Sequence, residues 1–403
     1  MRQRLRQFIG VAAVMTVVSL ALVAAQEPAP ASKAGPVLKT PWGDPDLQGL
    51  WLDNYQTPFE RPAKYAGKEF FTDAERAELD KERAARPSFG QKRAERGSER
   101  DVAGAYNSEI FTSLRHTGRR TSMVIDPPDG RVPAVTPAVE KRNAELRRFY
   151  LGTIQATTTC KNSQRGCEGG TYAPLAPHRN DPHPSYPTGS GFPVAAGGGY
   201  INRSDGPEDR GLSERCMSAI LPDFGGVRSI VQSAGSVSMF YDTGQGQGWH
   251  RVIPVDGRPH LPPSIRLWWG DSRGRWEGNT LVVDVTNFSP RTDFRKSREN
   301  LHLVERWTRT SPTTLQYTVT IDDPTTWTRP WTVQQEFTKQ GDEFNRVYKE
   351  PRCHEGNFGM VGLLSGERTI DRAYAEGRGP HPATINSVTP TNAALDDEDL
   401  AEF

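Results

Sequence analysis

The chain has 403 residues, a formal net charge of +1, 25% charged residues and four cysteines. So even a balance gives no electrostatic footing for nucleic acid or for an anionic membrane surface. Strand-type patterning concentrates in the second half, which predicts a mainly β protein: one antiparallel meander or barrel with two peripheral helices and long loops.

Residues 1–25 carry Arg2, Arg4 and Arg6, an apolar run from Phe8 to Val23, and the small residues Ala24 and Ala25 before Gln26. This is the pattern of a cleavable secretory signal. The apolar run is short for the roughly 20 residues of a membrane span, and no cysteine follows it to take a lipid. Removing the three arginines takes the formal charge to −2, and the remaining chain is expected to be periplasmic or extracellular without stable membrane insertion.

Residues 26–40 are Pro- and Ala-rich and predict a disordered leader. The segment 41–152 holds first strands and two helices packed on the core. Within it DPDLQGLW puts Trp51 on a short strand. Thr72-Asp73-Ala74-Glu75 is a capping box opening a helix to about Arg86. RTSMVIDPPDGRVP is a strand ending in a Pro-Asp-Gly turn, and Thr136-Pro137 starts a second helix running to about Tyr150. Residues 153–215 form a loop-rich excursion, 216–372 the antiparallel β domain, and 373–403 a polar tail.

In an oxidising compartment Cys160, Cys167, Cys216 and Cys353 are better read as two disulfides than as a metal site. Four cysteines allow three connectivities, and the spacing supports Cys160–Cys167 with Cys216–Cys353. No metal is expected, because a zinc site usually has a tighter cysteine pair or a histidine at ligand spacing.

From Trp276 to Lys349 apolar and aromatic residues alternate through TLVVDVTNF, LHLVERWTR, TLQYTVTID and WTRPWTVQQEFTK. Period two means half-buried antiparallel strands. Leu301, Leu303, Glu305 and Trp307 then share the buried face, as do Leu315, Tyr317, Val319 and Ile321, and Trp327, Arg329, Trp331, Val333 and Phe337. A first hairpin loop over Thr310–Thr314 sets Trp307 opposite Tyr317 and Glu305 opposite Val319. A second over Asp322–Thr326 sets Tyr317 opposite Trp331 and Val319 opposite Arg329. This predicts an aromatic row, Trp307-Tyr317-Trp331, beside an inward carboxylate and guanidinium, Glu305 and Arg329, which need each other or a ligand.

His354 with Glu355 is a candidate base and orienting carboxylate. No nucleophile elbow, HExxH, phosphate loop or GxGxxG occurs, so no cofactor is expected.

Gly49-Leu50-Trp51 on a first strand resembles the GxW motif of lipocalins, which implies a lipocalin-like barrel. DPDLQGLW, DPPDGR, PEDRGLSERC, DGRPHLPPSIR, GDSRGRWEGNTLVV, LHLVERW, DPTTWTRPW and CHEGN resemble the recurrent motifs of a large uncharacterised family of secreted bacterial proteins, over Pro41 to about Gly366. That resemblance implies no activity or catalytic residues.

Three functions remain open. The first is a binding protein holding an aromatic or amphipathic small molecule between Trp307, Tyr317 and Trp331, with Arg329 as anchor. The second is a periplasmic hydrolase, lyase or isomerase with Glu305 as acid or base. The third is a structural envelope protein. Neither the ligand nor the oligomeric state is legible.

Overall fold

The computed structural model describes residues 38–85, 116–144, 206–207, 221–225, 227–244, 247–290, 292–341 and 358–382. The four cysteines and His354 lie outside them, as do residues 1–37 and almost all of 153–215; the end of the expected disordered leader is instead ordered, with Lys39 bridged to Pro45 and Thr40 buried.

Nine antiparallel-paired strands make one barrel-like sheet. They are β1 (Gly49–Leu52), β5 (Val227–Ser233), β6 (Ser236–Gly244), β7 (Gln247–Pro254), β8 (Asp271–Glu277), β9 (Thr280–Thr286), β10 (His302–Ser311), β11 (Thr314–Asp322) and β12 (Trp331–Lys339), in the order β7-β6-β5-β1-β12-β11-β10-β9-β8. A short β4 (Val124–Asp126) adds to β12, and β2 (Tyr55–Gln56) pairs in parallel with β3 (His116–Thr117) apart from the barrel.

The pattern of alternation explains the sheet. Burial in β11 strictly alternates, with Leu315, Tyr317, Val319 and Ile321 all inaccessible and their neighbours half-exposed. The same parity runs round the ring. Glu305 faces Val283 and Val319, Trp51 faces Arg228, and Tyr241 faces Trp249. One interior therefore collects side chains from all nine strands, each buried Leu, Ile, Val or Phe contributing about 1.5–3 kcal/mol.

Strand β1 is fourth in the order, pairing with β5 on one side and β12 on the other. The two local meanders, β5–β7 and β8–β12, meet only through it along this path. Because nine strands alternate in direction, the two edge strands β7 and β8 run the same way. The connection 255–270 must consequently return along the barrel, and the ladder does not pass between β7 and β8 among the described residues.

Around the barrel, α1 (Asp73–Ala85) begins with the expected capping box: Glu75 N–H donates to Thr72 Oγ1 (3.2 Å) and Thr72 N–H to Glu75 Oε2 (2.7 Å). Bonding to Lys68 and then to the Thr72 N–H lowers the Glu75 carboxyl to about 2. A second helix, α2, covers 137–144 among the described residues. Thr136 precedes it as expected, yet its hydroxyl donates to the Thr325 carbonyl (2.9 Å) and so ties α2 to the barrel.

After β4 the chain turns at Gly130, where φ is +74° and a Cβ would lie 2.5 Å from Ser122 Oγ. Glycine is required there on both counts. The third helix, α3 (Phe358–Ala375), falls where the sequence reading placed the end of the β domain. Its partly buried positions, Met360, Leu363, Leu364, Glu367, Ile370 and Ala373, recur at helical spacing.

Candidate functional site

The first hairpin has the expected register: Trp307 opposes Tyr317, Glu305 opposes Val319 and Leu303 opposes Ile321. The second does not. Strand β12 starts at Trp331, which opposes Ile321, while Tyr317 opposes Gln335 and Val319 opposes Val333. The connection is longer than a tight turn because Asp323 organises it, accepting from Ser297 Oγ (2.5 Å), Thr325 N–H (2.9 Å) and Thr326 Oγ1 (2.7 Å). Trp327 tucks under this loop, its ring 5.3 Å from that of Trp331. The slip is four residues, an even number, so Trp331 still points inward.

The expected pairing of Glu305 with Arg329 is overturned. Arg329 precedes the strand, lies half-exposed and binds both oxygens of Asp126 at 3.0 Å, on the outside of the barrel. It can neither neutralise Glu305 nor anchor an interior ligand.

Glu305 is paired instead with Arg251 of β7. Arg251 Nη2 lies 2.6 Å from Glu305 Oε2, and both side chains are buried. The other oxygen of Glu305 accepts from Tyr317 Oη at 2.7 Å. Arg251 further donates through Nη1 to Tyr241 Oη (3.2 Å) and through Nε to Ser272 Oγ (2.9 Å). Strands β6, β7, β8, β10 and β11 thereby contribute one residue each to a polar knot within the barrel.

Burial, and next the Glu305 charge, push the Tyr317 hydroxyl well up, so it stays a proton donor. Burial raises Tyr241 as well, opposed by the Arg251 charge. An ion pair taken so far from water persists only when its remaining hydrogen-bonding capacity is met, which the two tyrosines and Ser272 provide.

A second interior cation, Arg228, lies between the rings of Tyr241 (4.9 Å) and Phe337 (4.6 Å). Its guanidinium donates to the Asp223 carbonyl (2.6 Å) and to the Gly225 carbonyl, which fixes the loop carrying Phe224. Phe224 then completes the aromatic wall that strand pairing does not. Trp307 stacks on Tyr317 at 4.1 Å, Phe224 stands 6.0 Å from Tyr317 and 5.6 Å from Phe59, and Phe59 meets Trp331 at 6.0 Å. The expected row Trp307-Tyr317-Trp331 thus exists as a wall, joined through two loop phenylalanines.

Sequence reasoning missed Arg251, Tyr241, Arg228 and Ser272. Arg251 carries the same signal as Glu305, a charge inside an alternating apolar set: Trp249, Arg251 and Ile253. Several buried donors have no hydrogen-bond partner among the described residues, among them Arg228 Nε and the indole Nε1 atoms of Trp249, Trp269, Trp276, Trp307 and Trp331. The described residues include no cluster of three or more His, Cys, Asp or Glu able to hold a metal ion.

No family model matches the chain, and neither does any curated protein. Among solved structures it is similar to a secretory abundant heat soluble (SAHS) protein from Ramazzottius varieornatus, at 11% identity and a TM-score of 0.21, covering 32% of this chain and 82% of that one. A second, secretory abundant heat soluble protein 4 from the same organism, gives 12% identity and a TM-score of 0.19, covering 28% and 69%. At such TM-scores the lipocalin-like barrel rests on its own strand pairing. No described helix is long and apolar enough to cross a membrane.

Proposed function

We propose that this is an exported binding protein that holds a small aromatic or amphipathic molecule within the barrel, against Trp307, Tyr317 and Trp331. Export rests on the charged, apolar and small-residue pattern of residues 1–25, and agrees with the resemblance of the motif set to secreted bacterial proteins. The observation that carries the binding reading is the buried set Trp307, Tyr317 and Trp331, in which both indole N–H groups, like those of Trp249, Trp269 and Trp276, have no hydrogen-bond partner among the described residues. A buried donor left unpaired costs about 1–3 kcal/mol, a cost that a ligand oxygen would offset. Arg251 is already committed to Glu305, so the ligand needs an acceptor oxygen but no negative charge.

Glu305 as an acid or base gains nothing from this geometry. Both of its oxygens are engaged, by Arg251 and Tyr317, and the side chain is fully buried, so the contacts hold Glu305 as the counter-charge of Arg251.

Titration with the neutral aromatic probe N-phenyl-1-naphthylamine tests the proposal. Saturable binding of this probe and of Nile red, whose carbonyl can accept a hydrogen bond, is expected, weakened about tenfold by Trp331→Ala; Trp331→Phe, which keeps the ring and removes the N–H, should weaken Nile red alone. A folded wild-type protein with no saturable binding of this probe or of Nile red would overturn it.

A further inference from the structure

We infer that the β7–β8 seam is the gate of the barrel and that His260 is a proton-dependent clasp holding it shut. The gate rests on the binding reading above, whereas the clasp can be tested without any ligand.

Among the described residues the seam is the one junction of the ring that no ladder closes. Side chains close it instead. From inside, Arg251 of β7 reaches Ser272 of β8. Gly274 of β8 comes so near the end of β7 that a Cβ there would lie 2.9 Å from Ile253 Cγ2 and 3.3 Å from the Pro254 carbonyl oxygen. From outside, the returning connection 255–270 is strapped onto the outward faces of β8 and β9.

His260 makes the central attachment of that strap. Its Nδ1 lies 2.8 Å from Asp271 Oδ2 on β8 and its Nε2 2.9 Å from Asp284 Oδ1 on β9. A neutral imidazole has a single N–H, so it can donate to only one of two carboxylates. Both bonds exist together only in the imidazolium. The backbone supports the arrangement: Leu261 N–H donates to Asp271 Oδ2 (3.0 Å), Arg273 Nε to the Pro259 carbonyl (2.8 Å) and Asn287 Nδ2 to the Leu261 carbonyl (2.9 Å).

The surrounding charges sharpen the dependence on pH. Arg273 of β8 lies 2.7 Å from Asp271, and His302 of β10 takes the second oxygen of Asp284 at 3.1 Å. Asp322 of β11 sits opposite His302 in the register, and on the strap Asp256 and Arg258 pair with each other. Asp271, Asp284 and Asp322 are thus balanced by Arg273 and two imidazoliums. Loss of the His260 proton leaves a single N–H, breaks one of the two clasp bonds and, with loss of the His302 charge, leaves the carboxylates in excess. The strap then loosens, and β7 is freed to part from β8.

Hydrogen exchange of the intact protein at pH 5.5 and 8.0, corrected for intrinsic exchange rates, tests the clasp. Protection over 247–270 is expected to fall about tenfold at the higher pH, and His260→Gln should be equally labile at both. Asp284→Asn, a second variant, should shrink the step in the same way if His260→Gln does not fold. Equal wild-type protection at both pH values, or a step that survives in the variant, would overturn the clasp. For the gate, stopped-flow association of N-phenyl-1-naphthylamine should be several-fold faster at pH 8.0 in wild type and pH-independent in His260→Gln. Equal association rates beside an intact exchange step would refute the gate. Absence of binding at either pH would refute the binding reading and the gate together, leaving the clasp to be decided by exchange.

Discussion

Strands β9 and β10 between them place charge on both faces of the sheet, with opposite consequences. Inward, Glu305 is sealed by Arg251 and Tyr317 with no exposure to water. Outward, Asp284 is shared between His260 and His302, whose side chains are 29% and 40% exposed. Removed from solvent, an ion pair is fixed in place and costly to break. At the surface, similar groups can exchange protons and respond to pH. The two faces differ mainly in access to water, and the difference can be tested by substitution.

The largest effect is expected inside. Glu305→Gln leaves Arg251 buried without its counter-charge, and stability should fall by about 3–5 kcal/mol, read from the urea midpoint. The double variant Arg251→Met/Glu305→Leu removes both charges and should recover most of that loss, since replacing a whole buried pair by apolar residues is often neutral or better. A double variant as unstable as Glu305→Gln would mean that the pair itself supplies net stability.

On the outer face the expected response is smaller and depends on pH. The hydrogen bond to Asp284 raises the His302 pKa above the ordinary imidazole value. Its stabilisation is therefore fully present below about pH 6.5 and lost as the pH rises through the higher folded-state value. Asp284 is lowered, first through its bond from His302, so its share is present above the ordinary carboxylate value of about 3.9 and lost as the pH falls through the lower folded value. Thermal unfolding of His302→Gln should differ from wild type by a few tenths of a kcal/mol at pH 5.5, after allowance for solvent screening, and by nothing at pH 9. The smallest effect belongs to Arg329→Ala, which removes a half-exposed pair with Asp126 and should change stability by less than about 1 kcal/mol.

These contrasts also mark what the sequence could reveal. The meander and the register of its first hairpin were legible, because alternation and a short turn determine both locally. The second register was not, since Asp323 organises a longer connection through Ser297, a residue outside the hairpin. The partner of Glu305 lies 54 positions away and meets it only when the ring closes, which no local pattern encodes. Helix α3 was hidden by Gly362 and Gly366, which lower its helix propensity. Tyr317 and Trp331 reached the expected wall only through Phe224 and Phe59, whose positions are set by loops.

The place of β1 bears on how the molecule comes into being. This four-residue strand is made early, yet its neighbours begin at Val227 and Trp331. Until β5 is made it can pair with neither neighbour and until β12 is made with only one, while β5–β7 and later β8–β12 can each form hairpins of their own. Barrel completion therefore waits for nearly the whole chain, a high-contact-order step expected to be slow. A chain shortened at its C-terminus before Trp331 would leave β1 with one bare edge, open to pairing with another molecule.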